Sequence, residues 1–183
     1  MDNGASSYRR FLSGDENAFD AIMEELFYPL VFFIDRYVQD VHTAEDIAMD
    51  VFSDLIVHKH RYHFKVSLKT YLFMLGRSRA LDCLRHRKVL NMVELSEAAQ
   101  VSDGSPALEE LVLTDERKRA VNGALSQLPE PLRTAVHLVY FEDLSYEEAA
   151  RVMKKNRKQV DNLLYRAKKE LCIILGKDGE GIL

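Results

Sequence analysis

Tryptophan is absent from this chain of 183 residues. Cysteine, proline and glycine are scarce, at two, four and eight copies. Cys83 and Cys172 stand far apart and form no CxxC pair, which argues against a disulfide framework or a structural zinc site. Few glycines and prolines suit long helices with few turns, and no segment alternates apolar and polar residues as a half-buried strand would. The longest apolar run, residues 26–34, is nine residues long, about half of a membrane span. No apolar run follows the opening MDNGASSYRR, so no signal peptide is expected. No GxxxxGK[ST], GxGxxG or GxSxG occurs, and neither cysteine neighbours a His–acid pair. The expectation is a soluble, cytoplasmic, non-enzymatic protein without cofactor or membrane insertion. With 47% apolar residues it has enough to bury a core.

Net charge is only −4, which taken alone argues against a nucleic-acid partner. The mean hides a pattern. Residues 1–57 hold three basic and twelve acidic residues, net −9. Residues 58–88 hold nine basic residues and one acid, net +8. Residues 93–148 carry net −8, and residues 149–177 net +7. Acid, base, acid, base along one chain points to two separate anion-facing surfaces.

Helical periodicity covers most of the chain. Phe19, Ile22, Met23, Leu26, Phe27, Leu30, Ile34 and Tyr37 mark one buried face of a helix that Asp15 is expected to cap. Pro29 is expected to kink or divide it. Thr43 and Asp46 resemble a capping box at the head of a helix carrying Ile47, Val51, Phe52, Leu55 and Ile56. After a loop at 60–66, residues 67–90 read as one long helix. Residues 93–107, VELSEAAQVSDGSPA, are small, polar and acidic and read as a linker. Helices are then expected over 108–128, 132–141, 145–153 and 157–175. The fold class is all-α, with two small helical domains, 1–92 and 108–177.

The strongest local signal is LSYEEAARVMKKNRKQVDNLLYRAKKEL, residues 144–171. Ser145 and Glu148 form a capping box, and residues 154–156 make a three-residue turn. The second helix buries Val160, Leu163, Leu164, Ala167 and Leu171. It exposes Arg157, Lys158, Gln159, Asn162, Arg166, Lys168 and Lys169. This is the pattern of a helix-turn-helix whose second helix enters the major groove. Arg and Lys suit guanine edges, and Gln and Asn suit adenine. Residues 156–162 would reach deepest. Where many such turns carry glycine this one has Lys155, so Lys155 or Asn156 is expected in left-handed geometry.

Two segments together resemble one family. LPEPLRTAVHLVYFEDLSYEEAARVMKKNRKQVDNLLYRAKKEL is similar to domain four of extracytoplasmic-function sigma factors, short promoter-recognition subunits of bacterial RNA polymerase. GDENAF, AEDIAMDVFSDL and TYLFMLGRSRALDCLRHRK are similar to their domain two. The resemblance implies that core polymerase binding uses Glu45, Asp46, Asp50, Phe52 and Leu55, the three acids facing basic residues of the largest subunit's clamp and Phe52 and Leu55 packing beneath or beside them. It implies that Tyr71, Arg77, Ser78, Arg79, Asp82, Arg85, Arg87 and Lys88 hold the melted minus-ten strand. Lys155, Asn156, Arg157, Lys158, Gln159, Asn162 and Arg166 would read the minus-thirty-five element. Tyr71, Ser78 and Met49 stand where many members have Trp, Asn and Gln. Implied partners are core RNA polymerase, promoter DNA and an anti-sigma factor, and the place of action is the cytoplasm and, with polymerase, the nucleoid. A basic groove interleaved with aromatics (Tyr62, Phe64, Tyr71 and Phe73) suits unpaired bases on physical grounds as well.

Two other readings share these features. One is a free-standing helix-turn-helix regulator. The other is a metal-dependent hydrolase using Asp46, Asp50, Asp54 and His58, which share one face at a spacing of four. An acidic interaction face fits those carboxylates better, because no second ligand helix is evident. His58, His60 and His63 fall in a basic loop without cysteine or acid partners, so no metal site is expected there.

Overall fold

The structure, a computed structural model, describes residues 4–94 and 116–175. It divides into two compact units, Met1–Ala107 and Leu108–Leu183. All regular structure among the described residues is helical.

The first unit holds α1 (Ala5–Leu12), α2 (Asn17–Val38), α3 (Val41–Val57) and α4 (Leu68–Glu94). Helix α2 is central and packs against the other three. That position explains why its apolar residues spread beyond a single stripe: Ile22, Leu26, Leu30, Val31, Phe33 and Ile34 are all buried. Each such side chain contributes roughly 1.5–3 kcal/mol on burial. Phe33 meets Phe73 of α4 with ring centroids 4.8 Å apart. Gly76 allows this close approach, since a Cβ there would lie 2.8 Å from Leu30 Cδ1.

Helix α1 is not evident in the apolar periodicity, yet its Tyr8 is fully buried. Asp15 does not cap α2; its carboxylate accepts two hydrogen bonds from Arg10 of α1, at 2.6 and 3.0 Å. Pro29 does not divide α2, because buried Leu26, Leu30 and Val31 on either side outweigh the roughly 3 kcal/mol a proline costs mid-helix. The cap of α3 is Asp40, in extended conformation, and Thr43 lies inside the helix, donating its hydroxyl to the Asp40 carboxylate. That bond, above all, and the nearby Arg87 guanidinium hold the Asp40 carboxyl below its ordinary value. Helix α4 runs on through Val93 and Glu94, so the acidic linker loses its first two residues; the rest lies outside the described residues.

The second unit holds α5 (Glu116–Gln127), α6 (Glu130–Val136), a π-helical turn (His137–Phe141), α7 (Tyr146–Met153) and α8 (Arg157–Leu175). Helix α8 packs against α5, α6 and α7. The core is Leu125, Leu128, Leu132, Leu138, Val152, Val160, Leu164 and Leu171. Residues 108–115 of the helix expected over 108–128 lie outside the described residues. The single helix expected over 132–141 is instead α6 followed by the π turn. There His137 and Glu142, both buried, approach to 3.2 Å, and the His137 ring stacks on Phe141 at 5.7 Å.

Candidate nucleic-acid interface

In the second unit, local sequence builds the recognition element. Ser145 Oγ accepts from the Glu148 backbone N–H at 3.3 Å, and the Ser145 N–H donates to Glu148 Oε2 at 3.0 Å. This reciprocal box starts α7. The helix ends where the Lys155 N–H donates to Ala150 O at 2.8 Å and the Lys154 N–H to Arg151 O at 3.2 Å. Lys154, not Lys155 or Asn156, takes the left-handed conformation, with φ 54°. The reason is that the paired bonds place the first residue past the helix, Lys154, at the turning point. A side chain in this region costs roughly 1–2 kcal/mol that glycine avoids. Lys154→Gly is therefore expected to raise the stability of the second unit by about 1 kcal/mol. Urea unfolding checks this, and an unshifted midpoint would show that the turn stores no such strain.

Asn156 then caps α8. Its Oδ1 accepts from the Gln159 N–H at 2.8 Å, and its N–H donates to Gln159 Oε1 at 2.9 Å. Both side-chain oxygens are thus engaged in starting the helix. Val160, Leu164, Ala167 and Leu171 are buried, as their spacing dictates, and Leu163 is half-buried. Lys155, Lys158, Asn162, Arg166, Lys168 and Lys169 are exposed. Arg157 Nε lies 3.1 Å from Glu147 Oε1 of α7. Tyr165 is 62% exposed on this same face, with Lys169 Nζ 4.6 Å from its ring centroid.

In the first unit, α3 buries Ala44, Ile47, Ala48, Val51, Phe52 and Leu55. Asp46, Met49, Asp50 and Ser53 consequently face outward. Glu45 is half-buried, 3.7 Å from His42. Asp54 is turned inward and gathers two guanidinium groups and an imidazole: His58 Nδ1 at 2.6 Å, Arg79 Nη2 at 3.0 Å and Arg61 Nη1 at 3.5 Å. On α4, Tyr71, Ser78, Asp82 and Arg85 share one line at spacings of seven, four and three. Arg85 pairs with Asp82 at 2.7 Å. Arg77 Nε donates to the Tyr37 hydroxyl at 3.3 Å. Lys88 is exposed. Arg87 is elsewhere: it donates to Val38 O at 3.3 Å and Thr43 Oγ1 at 2.7 Å, and lies 3.4 Å from Asp40 Oδ2.

Tyr71 is half-buried, its ring centroid 5.2 Å from that of Tyr62. Burial, and then the Asp54 charge, push its hydroxyl pKa up. Phe73 and Tyr62 are buried core residues. Phe64 and Tyr71 are therefore the rings of this segment with partly open faces.

Residues 118–171 match the family model "Sigma-70, region 4". A curated relative, "ECF RNA polymerase sigma factor SigM" of Bacillus subtilis, is 31% identical over 143 residues, covering 76% of this chain and 83% of its own length. The chain belongs to the extracytoplasmic-function sigma factors. "RNA polymerase sigma-H factor" of Pseudomonas aeruginosa is 29% identical over 170 residues, 88% of each chain. The fold is that of solved sigma factors. The Bartonella quintana sigma factor RpoE, crystallised with the anti-sigma factor NepR, matches with a TM-score of 0.69 and 20% identity over 87% of this chain and 98% of that one. CnrH, solved with the cytosolic domain of CnrY, matches with a TM-score of 0.66 and 17% identity over 98% and 99%.

As a sigma factor the protein directs RNA polymerase to promoters and initiates DNA-templated transcription. The sigma factor's residues sort differently from the list its sequence suggests. Phe52 and Leu55, 1% and 3% exposed, lie in the core beneath the acidic residues and hold α3 in place. Arg87 faces away from the Tyr71–Arg85 line, because it continues the Phe73, Gly76, Ala80 stripe that packs α4 into the unit. Arg79 is tied to Asp54 and Arg157 to Glu147 within the sigma factor itself. Asp54, read from sequence as part of an acidic face, is a structural anchor. Periodicity and spacing do not mark Tyr8 or Glu147. Tyr165 was legible, being three residues after Asn162 and four before Lys169.

Proposed function

We propose that each unit carries one half of promoter recognition. In the second unit the start of α8 enters the major groove of the minus-thirty-five element. Arg157, Lys158, Gln159 and Asn162 lie toward bases, and Lys155 and Arg166 toward phosphates. In the first unit Glu45, Asp46 and Asp50 face basic residues of the polymerase clamp. Tyr71, Ser78, Asp82 and Arg85, flanked by Arg77, Arg79 and Lys88, receive the separated minus-ten strand. Arg87 supports that helix from behind.

The observation that carries this reading is the helix-turn-helix itself: a capped α7, a tight turn and an α8 that exposes Arg157, Lys158, Gln159, Asn162, Arg166, Lys168 and Lys169. The chain has no active site of its own, and nucleotide transfer belongs to the polymerase. It acts in the cytoplasm, and at the nucleoid when bound to polymerase. Both solved relatives are complexes with an anti-sigma factor or a cytosolic domain of a partner, which supports similar control here. No described helix is long and apolar enough to cross a membrane.

Run-off transcription tests the reading. Core polymerase plus this protein is expected to yield discrete transcripts from a subset of genomic fragments and none without it. Transcripts whose start sites do not depend on the added protein would reject it.

A further inference from the structure

Helix α1 lies over the loop of residues 58–66, and the contacts between them are unusually specific for an N-terminal segment. The Tyr8 side chain is 0% exposed. Its hydroxyl donates toward Lys59 O at 2.9 Å and Leu55 O at 3.1 Å, at the point where α3 gives way to the loop. Burial pushes its pKa up to about 12, so it remains a donor throughout the physiological range. The Tyr8 ring meets Tyr62 edge-on at 5.5 Å and Phe64 at 6.2 Å. Arg9 sits 4.8 Å over the Phe64 ring, and Lys59 Nζ 4.5 Å over Phe11. Tyr62 in turn packs on Phe64 at 4.6 Å and Tyr71 at 5.2 Å, and its hydroxyl donates to Val66 O at 2.7 Å.

The loop needs such support. Phe64 is held at φ 56°, a left-handed conformation that is a genuine outlier for a bulky residue. Surrounding contacts must over-determine it. The loop also presents His60, Arg61 and His63 to solvent, beside Tyr71 at the head of the Tyr71–Arg85 line. On its far side, Asp54 holds His58 and Arg61. The loop is thus clamped from two directions.

We infer that Tyr8 is a positioning residue for minus-ten strand capture: α1, through its hydroxyl and ring, fixes the loop of residues 58–66 in the shape that receives the strand. This rests on the assignment of the basic segment 58–88 to the melted strand. Tyr8 itself touches no DNA. Its effect is transmitted through the two carbonyls at the loop's entrance and through Tyr62 and Phe64.

The test uses holoenzyme assembled from core polymerase and the full chain, with a single-stranded oligonucleotide carrying the non-template minus-ten region of a promoter mapped by run-off transcription. Tyr8→Phe keeps the ring packing and removes both hydrogen bonds. It is expected to weaken strand capture roughly fivefold to tenfold, with core polymerase binding unchanged. Arg9→Ala, a surface change that cannot unfold the unit, is expected to weaken capture by about twofold to threefold. The combined variant His60→Ala, Arg61→Ala, His63→Ala is expected to weaken capture as well. In that background Tyr8→Phe should have little further effect, because both changes act through one loop. Full additivity, or wild-type capture by Tyr8→Phe, would overturn the role of Tyr8 while leaving the strand assignment standing. Loss of core binding in step with loss of capture would overturn it too, reducing Tyr8 to a general folding residue. Undiminished capture by the triple loop variant would remove the loop from the strand site and sink both.

Discussion

Phe52→Ala and Asp50→Lys are expected to abolish or weaken core polymerase binding by opposite routes. Phe52 is 1% exposed, with its ring centroid 6.0 Å from that of Phe27 and 6.2 Å from that of Phe19. Truncating it leaves a cavity between α2 and α3, and a change of this kind costs about 3–5 kcal/mol. That is a large fraction of the stability of a small domain. The unfolding midpoint should fall steeply, and binding should go with it. Asp50 is exposed on the opposite side of the same helix. Reversing its charge should leave the midpoint unchanged and weaken binding by about 2 kcal/mol, or some thirtyfold, if its partner is cationic. Urea unfolding beside co-purification with core enzyme separates the two. Unchanged co-purification of Asp50→Lys would move the polymerase contact away from α3.

Arg157→Ala and Gln159→Ala form the second pair. Glu147 holds Arg157 through Nε, which leaves the two terminal nitrogens for a bidentate contact with a guanine. Arg157→Ala is expected to cost about 1–3 kcal/mol at one base position and almost nothing once that base is changed. Gln159 has a second duty, since its Oε1 caps the Asn156 N–H. Gln159→Ala is therefore expected to lower the unfolding midpoint as well, by the equivalent of about 1 kcal/mol. Binding to a panel of minus-thirty-five variants reads the first effect, and thermal unfolding the second. A loss from Arg157→Ala that is equal across the panel would assign Arg157 to phosphate.

What sequence revealed depended on whether the determining contacts were local. Ser145 and Glu148 are three residues apart, and Val160, Leu164, Ala167 and Leu171 follow one helical turn after another, so the helix-turn-helix was legible almost to its ends. The stripe Ile47, Val51, Phe52, Leu55 was equally plain and already marked Phe52 and Leu55 as core, whereas Ile56, expected on the same side, is 41% exposed. The Arg87 spacing from Ala80 told the same story, but its charge obscured it. Asp54 shows why a spacing of four misleads: each step drifts by about 40° around a helix of 3.6 residues per turn. Two steps from Asp46, the side chain has turned from solvent toward Arg79. Its cationic partners Arg61 and Arg79, like the Leu55 and Lys59 carbonyls that Tyr8 bonds, are set by tertiary packing. Tyr8 lies 47 and 51 residues from those carbonyls, and no periodicity carries that information.

Arg87 has one further consequence. Its guanidinium spans the corner where α2 ends and α3 begins, binding Val38 O, Thr43 Oγ1 and the Asp40 carboxylate, all three from the far end of α4. The acidic helix and the basic helix are thereby riveted at a second point, well away from the Asp54–Arg79 pair. On the proposed assignment of polymerase to one helix and the parted strand to the other, the first unit would work as a gauge of fixed length. The strand would then be presented at a set distance from the clamp, whichever promoter is engaged.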